Sequence, residues 1–267
     1  ITRPAEAKPW SAYRPIFLTA KRIADGRAFL AQHRAALARV EAETGVPAEM
    51  VVAIIGVETN YGAITGSYRV LDALYTLAFH YPKRAPFFRG ELAQFFPLLQ
   101  EEQLDGRRVK GSYAGAMGWG QFMPSSYRAY ARDGDGDGRR DLFGSMPDVF
   151  ASIANYFVAH GWQRDAPVAV PAVRREAAAP FKPDTLEAKH TLPELAAKGY
   201  RPKQAVGHAA PATLLTLEGA RGPEYWITFK NFYVISRYNR SPLYSLAVWQ
   251  LAQAIAPSDG EVKRSAP

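Results

Sequence analysis

The run from Met50 to Val57 is apolar without interruption and stops at Glu58. Pro47 just upstream fits the opening of a helix. Eight consecutive apolar residues then leave that helix no polar face, and a helix apolar all round has to be surrounded by other elements. The chain is expected to fold around this segment. It falls well short of the roughly 18 apolar residues of a membrane span, so the chain reads as soluble. With 267 residues, 48% of them hydrophobic and 22% charged, there is enough apolar side chain to build a sizeable core.

The rest of the chain reads as helix, then a short β-prone stretch, then helix again. In residues 1–45, Phe29, Leu30, Leu37 and Val40 recur near helical spacing, and Gly45 supplies a stop. Leu71 to Gln103 is helical with a break around Tyr81 to Pro86. Residues 106–165 are rich in Gly and aromatics, with a helix expected from Pro147 to His160. Between 166 and 230, Val168–Val173, Thr213–Leu217 and Tyr225–Phe229 read as strands, the last two joined through a Gly219 to Glu224 turn as a hairpin. A short helix with a Thr191/Glu194 capping box sits among them. Ser241 and Pro242 then open a helix whose face is Leu243, Leu246, Ala247 and Leu251. The tail after Pro257 reads as disordered.

Several chemistries can be set aside. Cysteine is absent, which removes disulfides, zinc-thiolate sites, iron–sulfur clusters and cysteine nucleophiles. His33, His80, His160, His190 and His208 are scattered without an HExxH run, and there is no GxSxG or phosphate-binding loop. The net charge of +8 is spread as pairs such as Lys83/Arg84 and Arg107/Arg108 with no basic block, so an anionic polymer fits it better than nucleic acid. The chain starts at Ile1, and the expectation is of a processed protein whose targeting segment lies outside it.

Three strings can carry chemistry. The first is VVAIIGVETNYG, where Glu58 ends the apolar helix. Desolvation by that helix and the partial negative charge at its C-terminus both favour the protonated carboxyl and would lift it from about 4.3 toward ~6, where a general acid works. The alternative is an exposed Glu at a helix end. The second is GSYAGAMGWGQFMPSSY, Gly111 to Tyr127, in which small residues alternate with rings while Ser112 and Gln121 add uncharged polar groups. That mixture suits a sugar, with its apolar faces and polar edges, or simply a loop packing aromatics into the core. The third is DGDGDGRRDLF, where Asp133, Asp135, Asp137, Gly138, Arg139 and Asp141 occupy positions 1, 3, 5, 6, 7 and 9 of an EF-hand-like loop. Position 12 is Gly144, and Asp148 can supply the late carboxylate in a longer loop. The alternative is an acidic turn screened by Arg132, Arg139 and Arg140.

Together VETNYG, GSYAGAMGWGQFMPSSY and NFYVISRYNRSPLYSLAVWQLA resemble the signature of the bacterial lytic murein transglycosylase B family, over about Trp10 to Ala256. The resemblance implies a mainly α fold with a lysozyme-like catalytic core and a small β-containing domain. Its parts would be a helical domain (1–45 and 71–105), the core (46–70, 106–165 and 231–256) with the EF-hand-like loop at 133–148, the β-containing domain (166–230) and a tail (257–267). By the same resemblance Glu58 is the single catalytic acid. Ser112, Gln121, Tyr156, Tyr238, Asn239 and Tyr244 line the saccharide groove. Asp133, Asp135, Asp137, the backbone carbonyl of Arg139 and Asp148 hold a structural calcium ion, and no organic cofactor is required.

The implied activity is cleavage of the MurNAc–GlcNAc β-1,4 bond of peptidoglycan, leaving 1,6-anhydroMurNAc ends, with Glu58 acting as acid and then as base. Hydrolysis by a muramidase, or a non-catalytic calcium-stabilised wall-binding module, are the competing readings. The implied setting is the periplasm of a Gram-negative bacterium, working on glycan strands as a monomer. Cell-wall synthases are the implied partners, and any outer-membrane lipid anchor would lie outside the chain.

Overall fold

The computed structural model describes residues 7–207 and 210–257; His208 and the tail after Pro257 lie outside the described residues. The contacts divide the chain into two compact units, Ala28–Ala159 and a second made of Ile1–Arg27 with His160–Pro267.

The Ala28–Ala159 unit is built around the apolar run. Helix α1 (Trp10–Phe17) belongs to the other unit, α2 (Ala20–Gln32) crosses the division, and α3 (Arg34–Thr44) ends on Gly45 in the left-handed conformation. The expected single helical region is thus three helices. Helix α4 (Ala48–Thr59) comes next with Pro47 as its N-cap. Met50, Val51, Val52, Ala53, Ile54 and Ile55 are fully buried, as the absence of a polar face requires, and α4 packs on α3 and on α8 (Met146–Ala159). Phe29, Tyr61, Trp119 and Phe150 gather at one end of this core, with Phe29 5.8 Å from Tyr61 and 6.0 Å from each of the other two rings.

Helices α5 (Val70–His80) and α6 (Ala85–Glu101) pack together across a 3-10 turn at Pro82–Arg84, where the break was expected. A short helix, α7 (Pro124–Tyr130), was not expected from the sequence. Its cap comes from elsewhere: buried Glu91 of α6 accepts from the Ser125 N–H (2.9 Å) and hydroxyl (2.7 Å). Two-residue strands β1 (Tyr68–Arg69) and β2 (Lys110–Gly111) pair antiparallel, Tyr68 opposite Gly111.

In the second unit a four-stranded antiparallel sheet runs in the order β4-β3-β6-β5, from β3 (Ala169–Arg174), β4 (Tyr200–Pro202), β5 (Ala212–Gly219) and β6 (Gly222–Phe229). The three expected strands are present. The hairpin is tighter than expected, closing at Gly219 opposite Gly222 with only Ala220 and Arg221 between them. Helix α9 (Leu192–Ala197) carries the expected Thr191/Glu194 capping box, and its Leu195 packs under the sheet with Ile227 and Phe229. Helices α10 (Lys230–Tyr238) and α11 (Pro242–Ile255) complete the unit, Ser241 capping α11 as expected.

Thr213 and Thr228 sit directly opposite each other on β5 and β6, both fully buried, and among the described residues neither hydroxyl has a hydrogen-bond partner. Buried hydroxyls without partners cost more than the methyl groups that would replace them. A Thr213→Val/Thr228→Val double variant is therefore expected to gain about 1 kcal/mol, raising the melting temperature by roughly 2–4 °C. A lower melting temperature would show that the hydroxyls are satisfied.

Candidate functional site

Glu58 lies half-buried on the last turn of α4, one residue before the helix ends at Thr59. The backbone fixes the turn beyond it. Asn60 and Tyr61 both take left-handed φ values, 50° and 57°, which turn the chain sharply away from the helix. The Thr59 hydroxyl lies 3.1 Å from the carbonyls of Ile55 and Trp119 and accepts from the Gly62 N–H at 3.1 Å. The end of α4 is in this way stitched to the Gly-rich string.

That stitching continues. Gln121, itself at φ 52°, donates through Nε2 to the carbonyls of Thr65 (3.1 Å) and Gly118 (3.0 Å). The Ser112 hydroxyl accepts from the N–H groups of Ala114 and Ala116 at 3.2 and 3.1 Å, closing the turn that carries Tyr113 outward at 54% exposure. Those two bonds use the oxygen and leave the hydroxyl proton available to a ligand. Trp119 donates Nε1 to the Phe143 carbonyl at 3.0 Å. Tyr156, on α8, stands edge-on to Phe122 at 5.9 Å and to Tyr130 at 4.9 Å.

Glycine is required where these strands of chain meet. A Cβ on Gly62, at φ +83°, would lie 2.3 Å from the Trp119 ring. Gly62→Ala is expected to cost about 2 kcal/mol in urea unfolding, from overpacking against a ring held at its far end and from left-handed strain. A loss below a few tenths would mean that the Trp119 ring is free to move aside.

Glu58, Ser112, Gln121 and Tyr156 all belong to the Ala28–Ala159 unit. Tyr238, Asn239 and Tyr244 belong to the other, at the end of α10, at its C-cap and in the first turn of α11. Asn239 Oδ1 accepts from the Ser241 N–H at 3.1 Å, which sets the corner between the two helices, and Tyr244 is buried. Thr59, Tyr61 and Trp119 were not singled out from the sequence as organisers of the site. Thr59 beside the acid was the available signal, but its partner is sixty residues away.

The acidic string forms an exposed loop. Ligand oxygens of Asp133, Asp135 and Asp137 lie within 4.8 Å of one another. Two oxygens on a shared calcium ion at 2.3–2.6 Å can stand about 5 Å apart, so the spacing fits that ion. Asp133 accepts N–H bonds from Gly138 (2.8 Å) and Gly136 (2.6 Å), and these hold its carboxyl below the usual carboxylate range. Asp148 sits outside the ring of three, almost fully buried. Its two oxygens accept from the N–H groups of Gly134 (2.7 Å) and Asp141 (2.6 Å), bracing both limbs of the loop. Burial pushes the Asp148 pKa up, and those two bonds oppose the shift. On the far limb, Arg140 pairs with Glu102 and, at 3.3 Å, with Glu101, tying the loop to the end of α6.

The family model described as the transglycosylase SLT domain matches residues 1–253. Membrane-bound lytic murein transglycosylase B of Escherichia coli is 47% identical over 247 residues, covering 92% of this chain and 67% of that one. The structure of the E. coli lytic transglycosylase Slt35 in complex with calcium is similar at a TM-score of 0.85 and 47% identity, over 92% of this chain and 78% of that one. SltB3 of Pseudomonas aeruginosa in complex with NAG-anhNAM-pentapeptide is similar at a TM-score of 0.82 and 35% identity, over 95% and 67%. These matches bear out the mainly helical, lysozyme-like fold expected from the motifs. The chain belongs to the transglycosylase SLT domain family and is a lytic murein transglycosylase.

Proposed function

We propose that the chain cleaves the MurNAc–GlcNAc β-1,4 bond of peptidoglycan without consuming water. The observation that carries this reading is that Glu58 is the only carboxylate in VETNYG, GSYAGAMGWGQFMPSSY and NFYVISRYNRSPLYSLAVWQLA and stands at the end of a buried helix. Most glycosidases need a second carboxylate to attack the sugar or to activate water. With one, the sequence of steps is constrained. Glu58 gives its proton to the oxygen bridging MurNAc and GlcNAc, the C1–O bond breaks, and the oxocarbenium-like centre is stabilised by the site and the substrate's own acetamido group. Glu58, now a carboxylate, takes the proton from the muramoyl C6 hydroxyl as that oxygen closes on C1. The acid of the first step is the base of the second, and it ends protonated again.

Ser112, Gln121 and Tyr156 would line the strand, while Tyr238, Asn239 and Tyr244 are carried as saccharide-binding residues by the family resemblance alone. In this division of labour 46–70, 106–165 and 231–256 form the catalytic core, 1–45 with 71–105 a helical part and 166–230 the β-containing part. SltB3 is described with a muropeptide bound, which supports peptidoglycan strands carrying peptide stems as the substrate. The test is mass analysis of products from purified peptidoglycan. Reducing-end fragments lighter by one water than the hydrolytic products are expected; hydrated ends would make the chain a muramidase.

The acidic loop is assigned to calcium, with Asp133, Asp135, Asp137 and the Arg139 carbonyl as ligands. The Asp148 carboxylate takes two N–H bonds and a side-chain bond from Ser145, and a remaining lone pair could complete the set. The ion would supply positive charge that holds the two limbs together and takes no part in the chemistry. The relative in E. coli is described as membrane-bound, which supports a periplasmic setting beside the outer membrane. Among the described residues no helix is long and apolar enough to cross a membrane.

A further inference from the structure

A pocket of about 550 Å³ opens in the Ala28–Ala159 unit, lined by Thr65, Leu104, Arg108, Lys110, Tyr127 and Phe143 among others. Its volume is that of a small-ligand or peptide site. Most of the charges on its wall are already committed. Arg140 is paired with Glu102, Arg139 donates to the Glu102 carbonyl at 3.1 Å, and Asp105 is bonded to Arg107 at 3.1 Å. Asp141 accepts the N–H groups of Phe143 and Gly144 at 2.9 and 3.0 Å. Two cations remain. Among the described residues neither Arg108 nor Lys110 forms an ion pair or hydrogen bond through its charged head, although Asp105 feels Arg108 at longer range. The lining also includes the apolar Leu104, Val109 and Phe143, and the Tyr127 hydroxyl is engaged with the Arg140 carbonyl and the Leu142 N–H.

The pocket also shares backbone with the site. Lys110 is the first residue of β2 and leads through Gly111 directly to Ser112, while the carbonyl of Thr65 on the pocket rim is the one that Gln121 holds. Short backbone connections therefore join the pocket to Ser112 and Gln121.

We infer that this pocket is a subsite for the peptide stem of the peptidoglycan strand, with Arg108 and Lys110 receiving its carboxylates and Leu104 and Phe143 packing on its aliphatic parts. The inference rests on peptidoglycan strands being the substrate. Charge-assisted hydrogen bonds from a fork-shaped guanidinium and an ammonium are suited to the free carboxylates of a peptide stem.

The experiment compares kcat/KM on strands bearing stems with that on strands stripped of stems by an amidase, for the parent and for Arg108→Ala/Lys110→Ala. The parent is expected to prefer stem-bearing strands, and the double variant to lose that preference by about tenfold, through KM with little change in kcat. An equal preference in parent and variant would overturn the subsite. Calorimetry with the free stem pentapeptide gives a readout independent of turnover: weakening by about tenfold in the variant is expected, and unaltered or absent binding in both proteins would overturn the subsite. If neither strand type yields soluble product with the parent, the proposed activity fails, and the calorimetric result still decides the subsite. Melting curves of both proteins exclude unfolding as the cause.

Discussion

Replacing Glu58 by Gln is expected to leave a folded protein that releases almost no soluble product from purified peptidoglycan. Gln matches Glu in shape and keeps its place on the last turn of α4. The geometry around it is set by the Thr59 hydroxyl and the left-handed residues at 60 and 61, which the substitution does not touch. What is lost is the proton. General acid catalysis alone is worth about 10²–10⁴-fold, and in the proposed mechanism the same group also acts as the base that closes the C6 oxygen on C1. The fall should therefore lie at the upper end of that range, with an unchanged melting temperature and unchanged retention on glycan strands. A variant within tenfold of the parent would end the assignment of Glu58 as the acid.

If the acidic loop holds calcium as proposed, removal of the ion should produce the largest change in stability. Three clustered carboxylates on an exposed loop repel one another, and a cation bound only in the folded state contributes by mass action. At about 100 times the dissociation constant that contribution is about 2.7 kcal/mol. At roughly 2–4 °C per kcal/mol for a chain of this size, chelator should lower the melting temperature by about 5–10 °C. Asp137→Asn is the matching variant. Its Oδ1 can still accept the Arg139 N–H, as Asp137 does at 2.8 Å, while the charge that holds the ion is gone. Its melting temperature should be low with or without chelator. If chelator moves neither protein, the loop is an acidic turn held by Asp148 and the arginines of its far limb.

How much of the fold could be read beforehand depends on how far apart the deciding residues are. Helix α4 was legible because its evidence is contiguous: eight apolar residues, Pro47 before them and a polar turn after. The Thr191/Glu194 box, the Ser241 cap and the β5–β6 strands were legible for the same reason, each being a pattern within a few residues. Helix α7 was not. Its first turn is held by Glu91, more than thirty residues upstream, and without that acceptor PSSYRAY is a poor helix. The pairing of β1 with β2 was hidden likewise, since each strand has only two residues and its partner is some forty positions away. In the acidic loop the ligand spacing of Asp133, Asp135 and Asp137 was plain, but the bracing of both limbs by Asp148 emerged only when α8 was in place.

By itself the sequence determined a buried helix ending in one carboxyl, a Gly-rich aromatic string, an acidic loop with cation spacing and a β hairpin, because each depends on local periodicity, turn chemistry or charge repulsion. Only the tertiary structure decided that Ile1–Arg27 groups with His160–Pro267 and that α4 is stitched to the string through Thr59 and Trp119. It also decided that Arg108 and Lys110 are left facing a pocket while their neighbours are paired. The physical reason is the same in each case. A hydrogen bond or ion pair between residues thirty to two hundred positions apart leaves no periodic trace in the chain, and it exists only once the core has fixed where the backbone runs.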